Sequence, residues 1–420
     1  MEKSMIYQSE IKVPDVEQKI LALGDERPKI IFGTGSYGAL ALHALRKLGI
    51  QVSCFCDSNE TNWGTEFYGY KVISPSELVG KYSEGVVLTA SLRYWFMMEK
   101  LKENSRLQAL TCDFLFSALD LSDIEVSVSI ERLIWMLDLY MFAVNADNDK
   151  TKIKIKSLDV VVTEKCSLRC RDCSNLMQYY DKPRDNDIEL MTLSISRFME
   201  NVDELHEARL IGGEPLMFKQ LPIVIRQLCN YTKCRKITIF TNGTILPKGE
   251  MLESLKNDKV SLIISDYGGL SKNSNALTEL LLRMDLPFIT YKADCWQDCA
   301  KIYYRERTSE QLQNVFGDCC VNDAVTLLHG KLYSCPFSAH AINLNAIPDE
   351  FCDDEISLFK LNDAELSEKL RELKSQRKYI KTCAYCAGRD YSVGKIQAAI
   401  QSAAPIALKK YIRNSSSNQP

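Results

Sequence analysis

Short apolar runs alternate with segments of helical spacing along most of the chain, and the alternation falls into two series. The first opens at residues 29–33, Lys-Ile-Ile-Phe-Gly, an apolar run that ends in Gly33-Thr34-Gly35-Ser36-Tyr37-Gly38. Residues 39–48 follow with the small and apolar side chains of a buried helix, so the local order is strand, glycine turn, helix. A second strand is expected at residues 52–55, ending near Asp57, where a dinucleotide fold places the carboxylate that meets a ribose. Strands at 72–73, 85–89 and 113–116 and a helix near 94–103 carry a Rossmann-like parallel sheet to residue 120. Gly33, Gly35, Gly38 and Asp57 are therefore candidate nucleotide contacts. Such a turn also serves helix–sheet packing in sheets that bind no nucleotide, so a ligand site and a structural or protein-docking role both stay open.

Residues 130–144 read as a buried connecting helix, and Asp147-Asn148-Asp149 marks a boundary. In the second series strands are expected at 158–163, 208–211, 236–240, 260–264 and 287–291, with helices at 193–205, 218–229, 251–255 and 275–284. Alternation this regular implies βαβ units and parallel pairing. From Cys295 onward cysteines and turns replace the periodicity, and residues 414–420 read as a polar tail. The expected fold class is α/β. A Rossmann-like domain spans residues 1–125, a helical linker 126–150, a partial barrel 151–295, a cysteine-rich domain 296–395 and a tail 396–420.

Composition narrows the function classes. A chain of 420 residues, 46% hydrophobic and 25% charged, has material for about two to three domains and is not a long disordered protein. Against 55 Asp+Glu stand 52 Lys+Arg, a net charge of −3 with no basic stripe, so no nucleic-acid duplex is expected as a partner. The longest apolar stretch, residues 133–146, is broken by Asp138 and falls short of the about 20 residues of a membrane span. Residues 1–4 begin charged and lead into no signal core, so the expected location is the cytoplasm. Thiols stay reduced there, and the 16 cysteines point to metal or chemistry rather than disulfides.

Just after the first strand of the second series stands Cys166-Ser167-Leu168-Arg169-Cys170-Arg171-Asp172-Cys173, three thiols at C-x3-C-x2-C. Iron–sulfur clusters are held by thiolates, normally four, and three on one loop can take three irons and leave the fourth open. A zinc site needs four closed ligands, and no histidine or fourth cysteine follows nearby. This loop resembles the signature of the radical S-adenosylmethionine (SAM) superfamily. The resemblance implies a [4Fe–4S] cluster on Cys166, Cys170 and Cys173 whose open iron binds SAM, and reductive cleavage to a 5′-deoxyadenosyl radical. Asp172 departs from the aromatic residue usual before the third cysteine, which bears on how the adenine packs. Later strand ends fit the same resemblance. Gly212-Gly213-Glu214-Pro215 resembles the motif that meets the SAM amino group through backbone carbonyls and Glu214, and Asn242, Ser265 and Asp266 stand where the family contacts SAM. Ligands in parallel α/β folds sit at the carboxyl ends of strands.

A second set comprises Cys319-Cys320, Gly330, Cys335 and Cys383-Ala-Tyr-Cys386. Four spaced thiolates suit a closed four-cysteine site, for which structural zinc and a [4Fe–4S] cluster are the chemical options. The pattern C-x9-G-x4-C followed by C-x2-C resembles the shortened SPASM, or twitch, extension of radical SAM enzymes, which implies one auxiliary [4Fe–4S] cluster on Cys320, Cys335, Cys383 and Cys386. Cys319 could replace Cys320. Cys295 and Cys299 are hydrogen-donor candidates, with an unreactive packed thiol as the plainer reading. His206, His329 and His340 stand isolated in the sequence.

The resemblance implies an enzyme, an oxidoreductase or epimerase. Transfer of an electron from a substrate radical to the auxiliary cluster would give oxidation, and return of a hydrogen by a thiol would give epimerisation. The single-cluster layout resembles aminocyclitol-oxidising radical dehydrogenases. The segment Phe55-Cys56-Asp57-Ser58-Asn59 through Ser74-Pro75 resembles a small Rossmann-like domain fused to sugar-modifying enzymes and methyltransferases. Together they suggest a carbohydrate or nucleotide-activated sugar as substrate and an electron donor such as flavodoxin or ferredoxin. The alternatives are a peptide-modifying maturase and, in another class, a non-enzymatic zinc or iron–sulfur binding module.

Overall fold

The computed structural model describes residues 6–102, 106–126, 128–375, 379–389 and 393–411, so residues 414–420 lie outside the described residues. The chain divides into two units, residues 1–150 and 151–420.

The first unit contains strands β1 (Ile6–Gln8), β2 (Lys29–Phe32), β3 (Cys54–Cys56), β4 (Glu66–Phe67), β5 (Tyr70–Ile73), β6 (Val86–Thr89), β7 (Gln108–Thr111) and β8 (Ala118–Asp120). Its helices are α1 (Val16–Leu23), α2 (Ser36–Lys47), α3 (Pro75–Lys81), α4 (Tyr94–Lys102), α5 (Asp113–Phe116) and α6 (Ile130–Asn148). One sheet has the order β4-β5-β3-β2-β6-β7, parallel from β5 to β7, with β4 antiparallel at its edge. The order reverses between β2 and β6, the switch point of a doubly wound sheet. Strand alternation sends Ile31, Phe55 and Leu88 into one core with α2, α5 and α6. Ile30, Phe32, Cys54, Cys56 and Val87 enter the other core with α3 and α4. Both faces are thus covered, as a parallel sheet requires.

Two expectations change here. Residues 113–116, expected as a strand, form α5, and the strand precedes them as β7. A four-residue apolar run fits either state; Asp113 resolves it by starting the helix and accepting a hydrogen bond from Lys19 Nζ at 3.0 Å. The buried helix expected within the helical linker at residues 126–150 is present as α6, but it belongs to the first unit, with Leu133, Leu137, Tyr140 and Val144 on one stripe within its core. Tyr140 ties the helix down, its hydroxyl donating to Thr89 O at 2.9 Å and accepting from Cys112 N–H at 2.8 Å.

The second unit contains β9 (Lys154–Thr163), β10 (Glu204–Gly212), β11 (Cys234–Thr241), β12 (Val260–Asp266), β13 (Phe288–Lys292), β14 (Cys295–Gln297), β15 (Ala324–Leu328), β16 (Lys331–Tyr333), β17 (Ile356–Ser357) and β18 (Lys395–Gln397). Its helices are α7 (Ile188–Glu200), α8 (Leu221–Cys229), α9 (Glu250–Ser254), α10 (Ser274–Arg283), α11 (Ser309–Gly317), α12 (Pro336–Asn343) and α13 (Asp363–Ser375). The sheet order is β13-β12-β11-β10-β9-β15-β16-β17, parallel as far as β15. Leu158, Val160 and Val162 of β9 face the helices, and Val161 faces the other core with Ile211 and Phe337.

Helix α7 begins at Ile188, five residues before the expected start, because the Asp187 carboxylate accepts Leu190 N–H at 2.8 Å and caps it. The end of the expected helix extends β10 instead. Within the cysteine-rich region, β15 adds to the free side of β9 and turns into β16 through His329 and Gly330, at φ 48° and 76°. Two left-handed residues favour glycine in such a hairpin, which accounts for Gly330. Residues 396–411, expected as part of a tail, are instead ordered: β18 pairs with β14, and Gln401 bridges to Cys170. Among the described residues no helix is long and apolar enough to cross a membrane.

Candidate functional site

The three-cysteine loop leaves β9 at its carboxyl end and lies directly on the end of β10. Gly213 N–H donates to Thr163 O and Glu214 N–H to Lys165 O, each at 2.8 Å. A β-carbon at Gly212 would stand 2.1 Å from Thr163 O; one at Gly213 would stand 2.1 Å from Lys165 O and 2.9 Å from Cys166 Cβ. The glycine pair is therefore the seat of the cysteine loop. Gly212 also takes φ +147°, which side chains disfavour.

Glu214 is 0% exposed. Its carboxylate accepts from Leu216 N–H at 3.1 Å, Thr241 Oγ1 at 2.8 Å and Asn242 N–H at 2.8 Å. Burial pushes its pKa up to about 7, against these three donors, which favour the charged form. The carboxylate expected to meet the SAM amino group thus accepts from its own turn and from the end of β11. Pro215 begins the single helical turn that follows.

Asn242 reaches back to the cysteine loop, its Nδ2 donating to Ser167 Oγ at 3.1 Å and lying 3.6 Å from Cys166 Sγ. Ser265 shares a 2.6 Å hydrogen bond with Tyr291, and Asp266 accepts Gly268 N–H at 2.9 Å in a tight turn. Tyr267 stacks edge-on against Trp296, with centroids 5.5 Å apart. Asp172 is buried and accepts from Arg171 Nε at 3.2 Å.

Each thiol of the loop has an N–H donor. Cys166 receives Leu168 N–H at 3.5 Å, Cys173 receives Asn175 and Met177 N–H, and Cys170 receives Gln401 Nε2 at 3.3 Å. Burial raises the free thiols, Cys166 to about 12 and Cys170 to about 11, and the hydrogen bonds act the other way. Dry thiols supplied with N–H donors are a donor set for iron and sulfide.

In the second set, Cys319, Cys335, Cys383 and Cys386 line one cavity with Arg389. Cys320, expected as the ligand, is exposed and absent from that lining; its N–H donates to Arg389 O at 3.2 Å. Cys335 caps α12, its sulfur accepting Ser338 N–H at 3.4 Å, and Cys386 accepts Gly388 N–H at 3.4 Å. Arg307 donates to the carbonyls of Cys383 and Cys386 at 2.6 Å each, pinning the C-x2-C turn. The Arg389 side chain is buried, donates to Ser174 O at 2.6 Å, and has no partner at Nε. A guanidinium cannot shed its proton, so a buried one calls for negative charge beside it. Four thiolates on a cluster supply that charge, and neutral thiols do not, so the residues fit the implied group. Among the described residues, no three His, Cys, Asp or Glu side chains are grouped to hold a single metal ion.

Cys295 is exposed on β14, whereas Cys299 is buried and bonded to Arg389. His329 and His340 are not isolated: His329 Nδ1 pairs with Asn186 Oδ1 and His340 Nδ1 with Tyr180 OH, each at 2.8 Å.

In the first unit, Gly33 and Gly38 are required by packing, since β-carbons there would stand 2.7 Å from Ala90 O and 2.1 Å from Gly33 O. Gly35 faces open space. Asp57 accepts Thr34 N–H at 3.0 Å and Asn59 N–H at 2.8 Å, and also pairs with the Thr34 hydroxyl, so it braces the glycine turn. Sequence reasoning had no signal for Gln401, Arg307 or Arg389, which act only through contacts made in the folded chain.

No protein-family model matches the chain. Curated relatives are the GTP 3′,8-cyclases of Campylobacter jejuni subsp. doylei, 32% identical over 111 residues, and of Aliarcobacter butzleri, 33% over 123. These matches cover 26% and 29% of this chain and 33% and 37% of the relatives. That of Helicobacter pylori is 29% identical over 161 residues, 33% of this chain and 48% of the relative. The chain thus matches about a third to a half of the length of these relatives. Among solved structures, BtrN in complex with AdoMet and 2-DOIA aligns over 57% of this chain and 94% of its own, at 14% identity and TM-score 0.39. SuiB of Streptococcus suis aligns over 53% and 46%, at 13% identity and TM-score 0.29.

Proposed function

We propose that this chain, which belongs to the radical SAM superfamily with the GTP 3′,8-cyclases it resembles, is an enzyme that cleaves SAM reductively and abstracts a hydrogen atom from a carbohydrate or nucleotide-activated sugar. The observation that carries the reading is the seating of Cys166, Cys170 and Cys173 on the glycine pair at the strand ends, with Asn242 reaching the same loop. When bound, the [4Fe–4S] cluster and SAM supply a radical able to attack an unactivated C–H bond. The protein supplies position and exclusion of water. Glu214 is a positioning residue in this reading, locking the ends of β10 and β11 where the SAM ammonium would meet backbone carbonyls.

Cys319, Cys335, Cys383 and Cys386 would hold an auxiliary [4Fe–4S] cluster, with Cys319 in place of Cys320. Four thiolates leave no open position for substrate, which suits an electron acceptor and favours oxidation. The burial of Cys299 beside Arg389 argues the same way for that thiol. The relatives are named for GTP, and the first unit has an open glycine at the start of α2, both of which support a nucleotide-linked substrate. Flavodoxin or ferredoxin would supply the electron.

The test is iron, sulfide and zinc per chain after anaerobic reconstitution, followed by 5′-deoxyadenosine formation with sugar nucleotides. About eight irons are expected for two clusters; about four irons with one zinc would make the second site structural. Cys170→Ala is expected to abolish SAM cleavage, and continued 5′-deoxyadenosine formation in that variant would overturn the assignment.

A further inference from the structure

The segment around Gln401 grips the middle cysteine of the loop from a distant part of the chain. Ser402 N–H donates to Arg169 O and Arg171 N–H to Ile400 O, each at 2.7 Å, so backbone pairing brackets Cys170 on both sides. Between these two bonds the Gln401 side chain turns back onto the loop. Its Oε1 accepts Arg169 N–H at 2.8 Å, while Nε2 donates to Ala399 O at 2.8 Å and to Cys170 Sγ at 3.3 Å. The amide orientation is fixed by chemistry, because an oxygen must face the Arg169 N–H and a nitrogen must face the Ala399 carbonyl. Both amide hydrogens are thereby used, one of them on sulfur.

The turn that makes this possible is strained. Ala399 is buried and takes φ +55°, a left-handed conformation costing an alanine about 1 kcal/mol or more. Such a conformation persists only where the surrounding contacts hold it. The other two thiols draw donors from their own loop, Cys166 with Asn242 besides; Cys170 alone draws one across 231 residues.

We propose that Gln401 is a positioning residue for the cluster ligand Cys170, and that its N–H···S hydrogen bond raises the reduction potential of the iron–sulfur cluster on that loop. This rests on the reading of Cys166, Cys170 and Cys173 as cluster ligands. Reduction adds negative charge to the cluster and its sulfurs, so a donor to a ligating sulfur favours the reduced state; hydrogen bonds to sulfur are a recognised determinant of cluster potential. Gln401 is itself exposed and covers a buried thiol, so its removal also admits water to that sulfur, which leaves the expected effect moderate.

The experiment uses the full chain, anaerobically reconstituted, as wild type, Gln401→Leu and Gln401→Glu. Leucine removes both hydrogen-bonding groups; glutamate keeps the acceptor for Arg169 N–H and replaces the donor with a charge. The readouts are iron and sulfide content, circular dichroism, and a redox titration of the electron-paramagnetic signal that changes when SAM is added. Both variants are expected to titrate at a more negative potential than wild type, glutamate further than leucine. At the wild-type midpoint, the oxidised-to-reduced ratio of Gln401→Leu is expected to rise roughly three-fold, in keeping with one modest hydrogen bond. Iron lost from this site alone, with the fold intact, would equally support the positioning role. Full iron with unchanged midpoints in both variants would overturn the proposal and leave the enzyme reading standing. A wild-type chain with no SAM-responsive signal would overturn both.

Discussion

Replacing Gly213 by alanine tests whether the glycine pair exists to seat the cysteine loop. The added β-carbon would stand 2.1 Å from Lys165 O, a backbone atom that no side-chain rotation can move aside, and 2.9 Å from Cys166 Cβ. Ordinary contact begins at 3.4 Å, so the loop and the end of β10 must part by about 1.3 Å. That separation breaks the Gly213–Thr163 and Glu214–Lys165 hydrogen bonds, both 2.8 Å long, at about 1 kcal/mol each. Crowding that is not relieved costs about 1–3 kcal/mol more. The expected loss is about 3–5 kcal/mol, which most chains with the usual margin of about 5–15 kcal/mol survive. Iron binding is less tolerant, since ligand distances must hold to about 0.2 Å. Gly213→Ala should therefore fold, unfold in urea at lower concentration, and reconstitute with about half of the wild-type iron, the second cysteine set being untouched. Gly35→Ala is the control, because its β-carbon would meet nothing within 4 Å and its φ of −95° suits alanine. A Gly213→Ala chain with full iron and unchanged stability would refute the seating argument.

Three further outcomes are expected. Cys319→Ser should lose iron or zinc from the second site while Cys320→Ser retains it, measured by metal analysis; the reverse result would place Cys320 in the cavity. His340 is buried with its pKa pushed down to about 3 by burial, so the unfolded chain binds a proton that the folded one refuses as pH falls below 6.5. Its contribution to stability is complete above about pH 6.5 and is lost progressively toward pH 3, reaching about 2 kcal/mol by pH 5; urea melts of wild type should show that slope and His340→Gln should flatten it. Ala399→Gly should relieve the left-handed strain and raise or leave unchanged the thermal midpoint while iron content stays whole; a marked drop would mean that the turn is not strained.

What was legible in the sequence is what chemistry confines to short spacing. C-x3-C-x2-C, the glycine pair and Asn242 stand at strand ends because ligands approach parallel sheets there, and each strand that carries them was recognisable from its apolar run. Elements stabilised from outside their own segment were not. Residues 113–116 are equally good as strand or helix until Asp113 meets Lys19, and β15 gains its place only by pairing with β9. The choice between Cys319 and Cys320 is of the same kind, since spacing admits both and only the folded chain sets Cys319 in the cavity lining and leaves Cys320 exposed.

Glu214 shows the limit from the other side. As the acid of a glycine–glycine–glutamate motif it resembles a residue that meets the SAM amino group, and a carboxylate does suit an ammonium. In the fold the same carboxylate has no exposed surface and accepts three hydrogen bonds from β11 and from its own turn. Moving it toward a ligand would leave Thr241, Asn242 N–H and Leu216 N–H without an acceptor in a dry interior, at about 1–3 kcal/mol for each group left unsatisfied. The carboxylate therefore ties its own turn to the end of β11 and, through Asn242, bears on the placement of the cysteine loop, while its two oxygens keep acceptor capacity for a further donor such as an ammonium.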